Sequence, residues 1–220
     1  MMELIEAMKN RHSVRQYIDK AIEPQIISDL KAEIDACNKD SGLHIQLVEN
    51  EKKAFDSFMA HYGKFSGVSN YIALVGKKGG DLDEKCGYYG ERIALKAQML
   101  GLNSCWVAMT YKKIPGAFRV DKGEKLTVVI AIGHGKACGV AHTSKPANKV
   151  SNASASTPEW FNQGVEAALL APTAMNQQKF NFTYENGSVI SKSGTGFYSK
   201  IDLGIAKYHF EIGSGKKIFN

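Results

Sequence analysis

Cysteine, proline and tryptophan are scarce: four, five and two residues in a chain of 220. The cysteines, Cys37, Cys86, Cys105 and Cys138, form no CxxC pair, and no histidine sits at zinc-ligand spacing from them. This excludes a disulfide framework or a zinc module as the source of stability and reads as reduced thiols in the cytoplasm. Long apolar runs are missing too. The longest covers residues 126 to 132, broken only by Thr127, far short of the roughly 20 residues a membrane span needs. The first six residues, Met1-Met2-Glu3-Leu4-Ile5-Glu6, carry acids where a signal peptide carries positive charge. The expectation is a cytoplasmic protein with no membrane partner. Phosphate loops of the GxxxxGK[ST] type, GxSxG elbows, HExxH sites and EF-hand loops are all absent. Gly133-His134-Gly135 is followed by Gly139, one residue too far for a dinucleotide fingerprint. The net charge of +6 comes from scattered lysines with no finger or RNP-type motif beside them. That argues against nucleic acid and suits a protein that holds a phosphorylated small molecule.

What is present is an ordinary globular composition, 44% hydrophobic and 23% charged. A helix is expected over residues 3 to 10. A second starts at Glu23-Pro24, since proline in the first turn loses no hydrogen bond, and ends near Cys37-Asn38. Residues 43 to 49 alternate as a strand, residues 52 to 61 suggest a helix, and residues 71 to 76 a buried strand. The clearest helix covers 88 to 100, with Gly101 as its stop. Residues 104 to 109 are extended, 126 to 133 form a buried strand, and 135 to 157 are loop-rich. Thr157-Pro158 reads as cap and first residue of a helix over 159 to 170. A hairpin then turns at Asn186-Gly187, and Ile201, Ile205, Tyr208 and Ile212 stripe a last helix stopped by Gly213. Ile93-Ala94 leads to Leu100-Gly101 at the same spacing as Ile205-Ala206 leads to Ile212-Gly213. This echo fits two unequal halves, residues 1–150 and 151–220, or chance among short strings.

Three segments stand out chemically. Arg11-His12-Ser13-Val14-Arg15 is dense in anion donors, and guanidinium groups bind phosphate in bidentate fashion; taken alone it is equally a solvated basic loop. Ala171-Pro172-Thr173-Ala174-Met175-Asn176-Gln177-Gln178 offers donors and acceptors together, which suits the edge of a heterocycle or merely a helix-to-strand connection. In Gly101-Leu102-Asn103-Ser104-Cys105-Trp106-Val107-Ala108 a helix stop leads into an extended stretch, where Trp106 serves a site or packs a core.

Taken together these segments resemble the flavin-dependent nitroreductase family. Arg11-His12-Ser13-x-Arg15 is similar to its R-x-S-x-[RK] signature, and Gly101-Leu102-x-Ser104-Cys105-Trp106 to its "GLGSCW" segment. Ile130-Ala131-Ile132-Gly133-His134 is similar to its "iaiGy" strand end, and Ser144-Lys145-Pro146 to its basic K-x-R-x-P segment. One feature departs. The family's "APSxxNxQPW" loop normally follows the first long helix, where this chain reads Ala36-Cys37-Asn38-Lys39-Asp40-Ser41-Gly42. Its counterpart stands at 171 to 178, with Lys179-Phe180 replacing Pro-Trp.

The resemblance implies an α+β, nitroreductase-like fold with a central, mainly antiparallel sheet flanked by helices. With the loop displaced into the second half, it implies either a monomeric pseudo-dimer of two structural repeats or the ordinary homodimer. It implies FMN as cofactor and NADH or NADPH as electron donor. The expected cofactor-binding residues are Arg11, His12, Ser13 and Lys145 at the phosphate, Arg15 at the pyrimidine edge, and Val107, Ala108 and Met109 along N5 and O4. Pro172, Thr173 and Asn176 are expected at the ring. The expected reaction is ping-pong: NAD(P)H reduces the flavin and leaves, and a small-molecule acceptor (a nitroaromatic, a quinone or another flavin) takes its place. No catalytic side chain and no metal are expected, because the flavin carries the chemistry. Ala108 stands where the family carries an acid near N5, which keeps open the alternative of a flavin carrier or sensor without efficient turnover. Tyr111 and Phe118 are candidates to cover the flavin, or packing residues.

Overall fold

Four strands make the central sheet of this computed structural model, and every neighbouring pair is antiparallel. The structure describes residues 2 to 219; Met1 and Asn220, the outer ends of the two expected halves, lie outside the described residues. In chain order the elements are α1 (Leu4–Asn10), α2 (Pro24–Ser41), β1 (Gln46–Val48), α3 (Phe58–Tyr62), β2 (Asn70–Lys77), α4 (Leu82–Met99), β3 (Asn103–Val107), β4 (Glu124–Gly133), α5 (Glu159–Ala168), β5 (Phe180–Glu185), β6 (Ser188–Ser193) and α6 (Ser199–Ser214). The sheet order is β1-β2-β4-β3, and β5-β6 is a separate hairpin. This is the expected mixed fold, an antiparallel sheet flanked by helices.

Strand alternation explains why the sheet is buried on both faces. Ile72 and Leu74 of β2 and Val128, Ile130 and Ile132 of β4 pack into one core with α2, α4 and α6. Tyr71, Ala73, Val129 and Ala131, one residue out of phase, enter a second core with Phe55, Phe65 and Tyr111. Both central strands therefore read as nearly continuous apolar runs.

Several expected boundaries shift for physical reasons. Where a helix over 52 to 61 is expected, the Glu51 carboxylate instead takes the N–H groups of Lys53 and Ala54 (2.8 and 2.9 Å). That closes a turn, and the helix starts only after Ser57, whose hydroxyl caps the Ala60 N–H. Helix α4 begins six residues earlier than its pattern suggests, because Gly87 interrupts the apparent propensity. The glycine is there for proximity: a Cβ on Gly87 would lie 2.1 Å from the Ile201 carbonyl oxygen, and one on Gly204 would lie 2.0 Å from that of Glu84. The backbones of α4 and α6 cross at that point. Pro158, expected as the first residue of α5, takes the cap position, and Thr157 bonds Asn162 instead. Gly213 does not stop α6. It lets the helix approach α5, where a Cβ would meet that of Ala167 at 2.3 Å, and Gly215 takes the left-handed conformation two residues later. The two-residue turn at Asn186-Gly187 has both φ angles positive (48° and 80°), as such hairpins require.

No helix among the described residues is long and apolar enough to cross a membrane. All four cysteines are free thiols, Cys138 alone being exposed.

Candidate functional site

The N-terminal motif is laid out as an extended segment along the sheet. Arg11 leaves α1 with an extended backbone, and its N–H still bonds the Ala7 carbonyl. Ser13 then pairs with Ser104 of β3, and the Val14 N–H bonds the Ser104 carbonyl at 3.0 Å. Extended geometry sends alternate side chains to opposite sides. Val14 and Tyr17 enter the second core, while Ser13 and Arg15 face a cavity of about 450 Å³, a size within the range of small-molecule pockets.

The cavity wall is contributed by six segments. Ser13 and Arg15 come from the motif, and Trp106, Val107, Ala108, Met109 and Thr110 from β3 and the turn after it. Pro172, Thr173, Ala174 and Met175 come from the loop after α5. Phe197 and Tyr198 precede α6, Ile201, Asp202 and Ile205 lie on it, and Val128 belongs to β4. Of the expected cofactor residues, Ser13, Arg15, Val107, Ala108, Met109, Pro172 and Thr173 therefore lie together on one wall. Arg11, His12, Lys145 and Asn176 do not line it.

Arg11 stands behind the wall, 3% exposed. Its Nε lies 3.6 Å from Oε1 of Glu91, a fully buried carboxylate on α4. Trp106 donates its indole N–H to Glu91 Oε2 at 2.9 Å, and His209 Nε2 lies 2.9 Å from Oε1. One carboxylate thus faces the motif, a cavity-lining tryptophan and α6. Yet Arg11 Nε and Nη1, and the Ser104 hydroxyl, are buried with no hydrogen-bond partner. His12, half-buried, is held below the ordinary imidazole range first by burial, then by the charges of Arg11 and His142. A positively biased corner with unmet donors is what a phosphate group would complete.

Lys145 and Asn176 brace the late loop. Lys145 Nζ donates to the carbonyls of Gln177 (2.6 Å) and Gln178 (3.2 Å), and Asn176 Nδ2 to that of Thr143 (2.9 Å). Gln178, which the sequence offers only as the last residue of the 171–178 segment, is buried and joins that loop to residues 143–145. Its N–H bonds Thr173 Oγ1, its Oε1 takes the Lys145 N–H, and its Nε2 reaches Thr143. Asp202 is buried at the cavity, and burial pushes its carboxyl up to about 6 against the pull of two hydrogen bonds, from Ala174 and Gln177. Nothing in the apolar stripe of α6 marks it. The mouth is apolar: Met109, Met175 and Phe197 line the cavity and are 67%, 86% and 81% exposed. Tyr111 and Phe118 are not on the wall. Tyr111 stacks on Phe55 at 6.1 Å, and Phe118 packs at the edge of the second core.

An antiparallel sheet between helices, with a mostly apolar cavity of small-molecule size, defines an α+β protein. Residues 3–214 match the family model described as "Putative TM nitroreductase". The chain belongs to this nitroreductase family. Among solved structures, a "putative nitroreductase" from Thermotoga maritima is 23% identical, with 96% of this chain and 83% of that chain covered and a TM-score of 0.66. A "putative nitroreductase in complex with FMN" from Desulfovibrio desulfuricans is 16% identical, covering 67% of this chain and 94% of that one at a TM-score of 0.53. A "Putative NADH dehydrogenase/NAD(P)H nitroreductase" from Parabacteroides distasonis is 20% identical, covering 67% and 95% at a TM-score of 0.52. These are similarities of fold. No curated protein matches the chain.

Proposed function

We propose that the chain is an FMN-dependent NAD(P)H oxidoreductase with its flavin site in the 450 Å³ cavity. The observation that carries the reading is that Ser13 and Arg15 line the same cavity as Pro172 and Thr173, segments far apart in sequence and each suited to one end of a flavin mononucleotide. The fit is chemical as well. A buried guanidinium with two unmet donors is costly, and a phosphorylated tail would offset that cost. The apolar wall of Trp106, Val128, Ile201 and Ile205 suits a flat heterocycle.

In this reading Arg11, Ser13 and His12 hold the phosphate, and Lys145 acts beside them by fixing the late loop. Arg15 sets a cation at the pyrimidine edge, where it favours negative charge as an oxyanion hole does. Thr173 and Pro172 bound the ring, and Asn176 ties their loop to Thr143. The backbone of Val107, Ala108 and Met109, on the cavity wall, would meet the N5 and O4 edge. FMN held there would supply the redox chemistry, hydride transfer between NADH or NADPH and a nitroaromatic, quinone or flavin acceptor. Met109, Met175 and Phe197 shield the mouth from water while leaving room for donor and acceptor in turn.

We further propose that one chain supplies both sides of the site, as a pseudo-dimer of residues 1–150 and 151–220. In support, Ile93 and Ala94 of α4 and Ile205 and Ala206 of α6, the echoed residues, share one core. Sedimentation of the purified protein tests this: an obligate dimer in which residues 173 to 176 meet the other chain's flavin ends the pseudo-dimer. The first test of the function is a spectrum. Freshly purified protein should show flavin absorbance that NADH or NADPH bleaches anaerobically. Yellow protein bleached by neither would be a carrier or sensor, and protein that fails to bind added FMN would defeat the whole reading.

A further inference from the structure

The late loop holds an unfavourable backbone. Met175, Asn176 and Gln178 have φ of 51°, 53° and 44°, in the left-handed region that non-glycine residues avoid. Such residues persist where their surroundings over-determine them. Beside the contacts of Asn176 and Gln178 with Thr143, Thr173 and Lys145, one carboxylate holds the residues before and between them. Asp202, in the first turn of α6 and 2% exposed, accepts the Ala174 N–H at Oδ1 (2.9 Å) and the Gln177 side-chain amide at Oδ2 (2.7 Å). The same Gln177 nitrogen donates to the Phe197 carbonyl at 2.9 Å. Asp202 therefore ties together the late loop, the segment before α6 and α6 itself, and it lines the cavity among them.

We infer that Asp202 is a positioning residue, whose ionised carboxylate clamps residues 173 to 178 in the shape that receives the flavin ring and whose protonation loosens that clamp. The ligand named rests on the FMN reading above; the clamp itself does not. The chemistry is one of acceptors. An ionised carboxylate accepts at both oxygens, whereas a protonated one turns one oxygen into a donor that opposes the Gln177 amide. Gln177 cannot simply flip, because its carbonyl would then face that of Phe197. With burial holding Asp202 at about 6, the change falls in the mildly acidic range. The charged groups around it are engaged or set on other segments. Arg15 lines the same cavity, Lys145 is bonded to the carbonyls of Gln177 and Gln178, Lys200 reaches the Gly80 carbonyl, and Lys207 pairs with Glu84. The shift itself is caused by burial, opposed only by the two hydrogen bonds.

The sign of the effect separates a clamp from general unfolding. The folded pKa lies above that of a free carboxyl, so the native state binds the proton more tightly. This group's contribution to global stability therefore rises as pH falls through 6 and is lost as pH rises through it. The clamp runs the other way where the loop lets go without exposing Asp202 to water: losing the two hydrogen bonds that pull its carboxyl down, with burial kept, raises its pKa further, so the clamp is closed above that pH and open below it.

The test compares the wild type with Asp202→Asn, using FMN titration and amide exchange of residues 173 to 178 without ligand, across the range where a carboxyl of this kind titrates. Relative to Asp202→Asn, wild-type affinity should weaken about tenfold on acidification, the effect of one hydrogen bond to a charged group. Loop exchange, corrected for its intrinsic pH dependence, should accelerate in step. Asp202→Asn should show fast exchange at every pH with no step, and weak affinity whose only pH dependence is the one His12 and the phosphate contribute. Gln177→Leu, which keeps the carboxylate and removes one donor, should reproduce the fast exchange and covers the case in which Asp202→Asn fails to fold. Wild-type loop exchange in either variant overturns the clamp. If the wild type binds no FMN, the functional reading fails, and the exchange measurement still decides the clamp.

Discussion

The two faces of the cavity wall solve opposite problems. Behind it, Arg11, Glu91, His209 and the indole N–H of Trp106 form a buried charged cluster with almost no access to water. At its mouth, Met109, Met175 and Phe197 are large apolar groups left mostly in solvent. Buried charges tolerate little change, since each was desolvated against partners that must remain. Exposed apolar side chains have few fixed partners and re-pack freely. On the proposed function, the buried side would anchor the flavin and the exposed side would serve the exchangeable donor and acceptor.

The sharpest way to break that contrast is to remove the charge on which the cluster converges. Glu91→Gln keeps shape and volume but leaves Arg11 buried without a counter-charge. Stability should fall by about 3–5 kcal/mol, the usual consequence of removing one partner of a buried pair, as read from urea unfolding. A loss below about 1 kcal/mol would mean that Arg11 reaches water and that the buried region is not what sets the molecule's limits. Next in size, Arg11→Lys keeps a cation for Glu91 and loses the planar fork. FMN affinity should drop at least about tenfold with little change in unfolding, because bidentate phosphate recognition is lost. Unchanged affinity would remove Arg11 from the phosphate. A smaller effect concerns His12, held low first by burial and then by Arg11 and His142. Its depressed pKa means the unfolded chain binds the proton first, so this contribution to stability is lost as pH falls from the ordinary histidine value of about 6.5. An anion brought to this corner should relieve the depression. FMN binding near that pH should therefore take up protons, measured by calorimetry in buffers of differing ionisation enthalpy, and His12→Gln should abolish the uptake.

How much of this is legible in the sequence depends on whether the signal is local. The extended motif at Arg11 to Arg15, the helix stop at Gly101 and the proline-ended helix before Thr173 are each announced by adjacent residues, and their segments meet at the cavity. The roles of Glu91 and Asp202 are not announced. Each sits in a helix whose pattern reads as amphipathic, and its partners arrive from elements 15 to 118 residues away in the chain. Gly87, Gly204 and Gly213 illustrate the same limit. A glycine in a helical pattern reads as a weak point or a stop, and only the crossing of α4, α5 and α6 shows that it marks contact. Phe197 and Tyr198 precede α6 in a stretch without periodicity, so their place on the cavity wall comes entirely from the tertiary fold.

The mouth supplies the smallest expected change in stability. Phe197→Ala removes a side chain that is 81% exposed. Substitutions at such positions stay within about 0.5 kcal/mol of neutral, so the melting curve should barely move. On the proposed function the effect should instead appear in turnover, because Phe197 lines the cavity that donor and acceptor would enter. If it only shields, KM for acceptors should rise several-fold with kcat nearly unchanged, the pattern of lost uniform binding, and more for aromatic acceptors than for small ones. A lowered kcat with unaltered KM would instead assign Phe197 to holding the loop that Gln177 bonds through the Phe197 carbonyl. The mouth would then belong with the buried region as part of one rigid frame, and the contrast between anchor and adaptable surface would disappear.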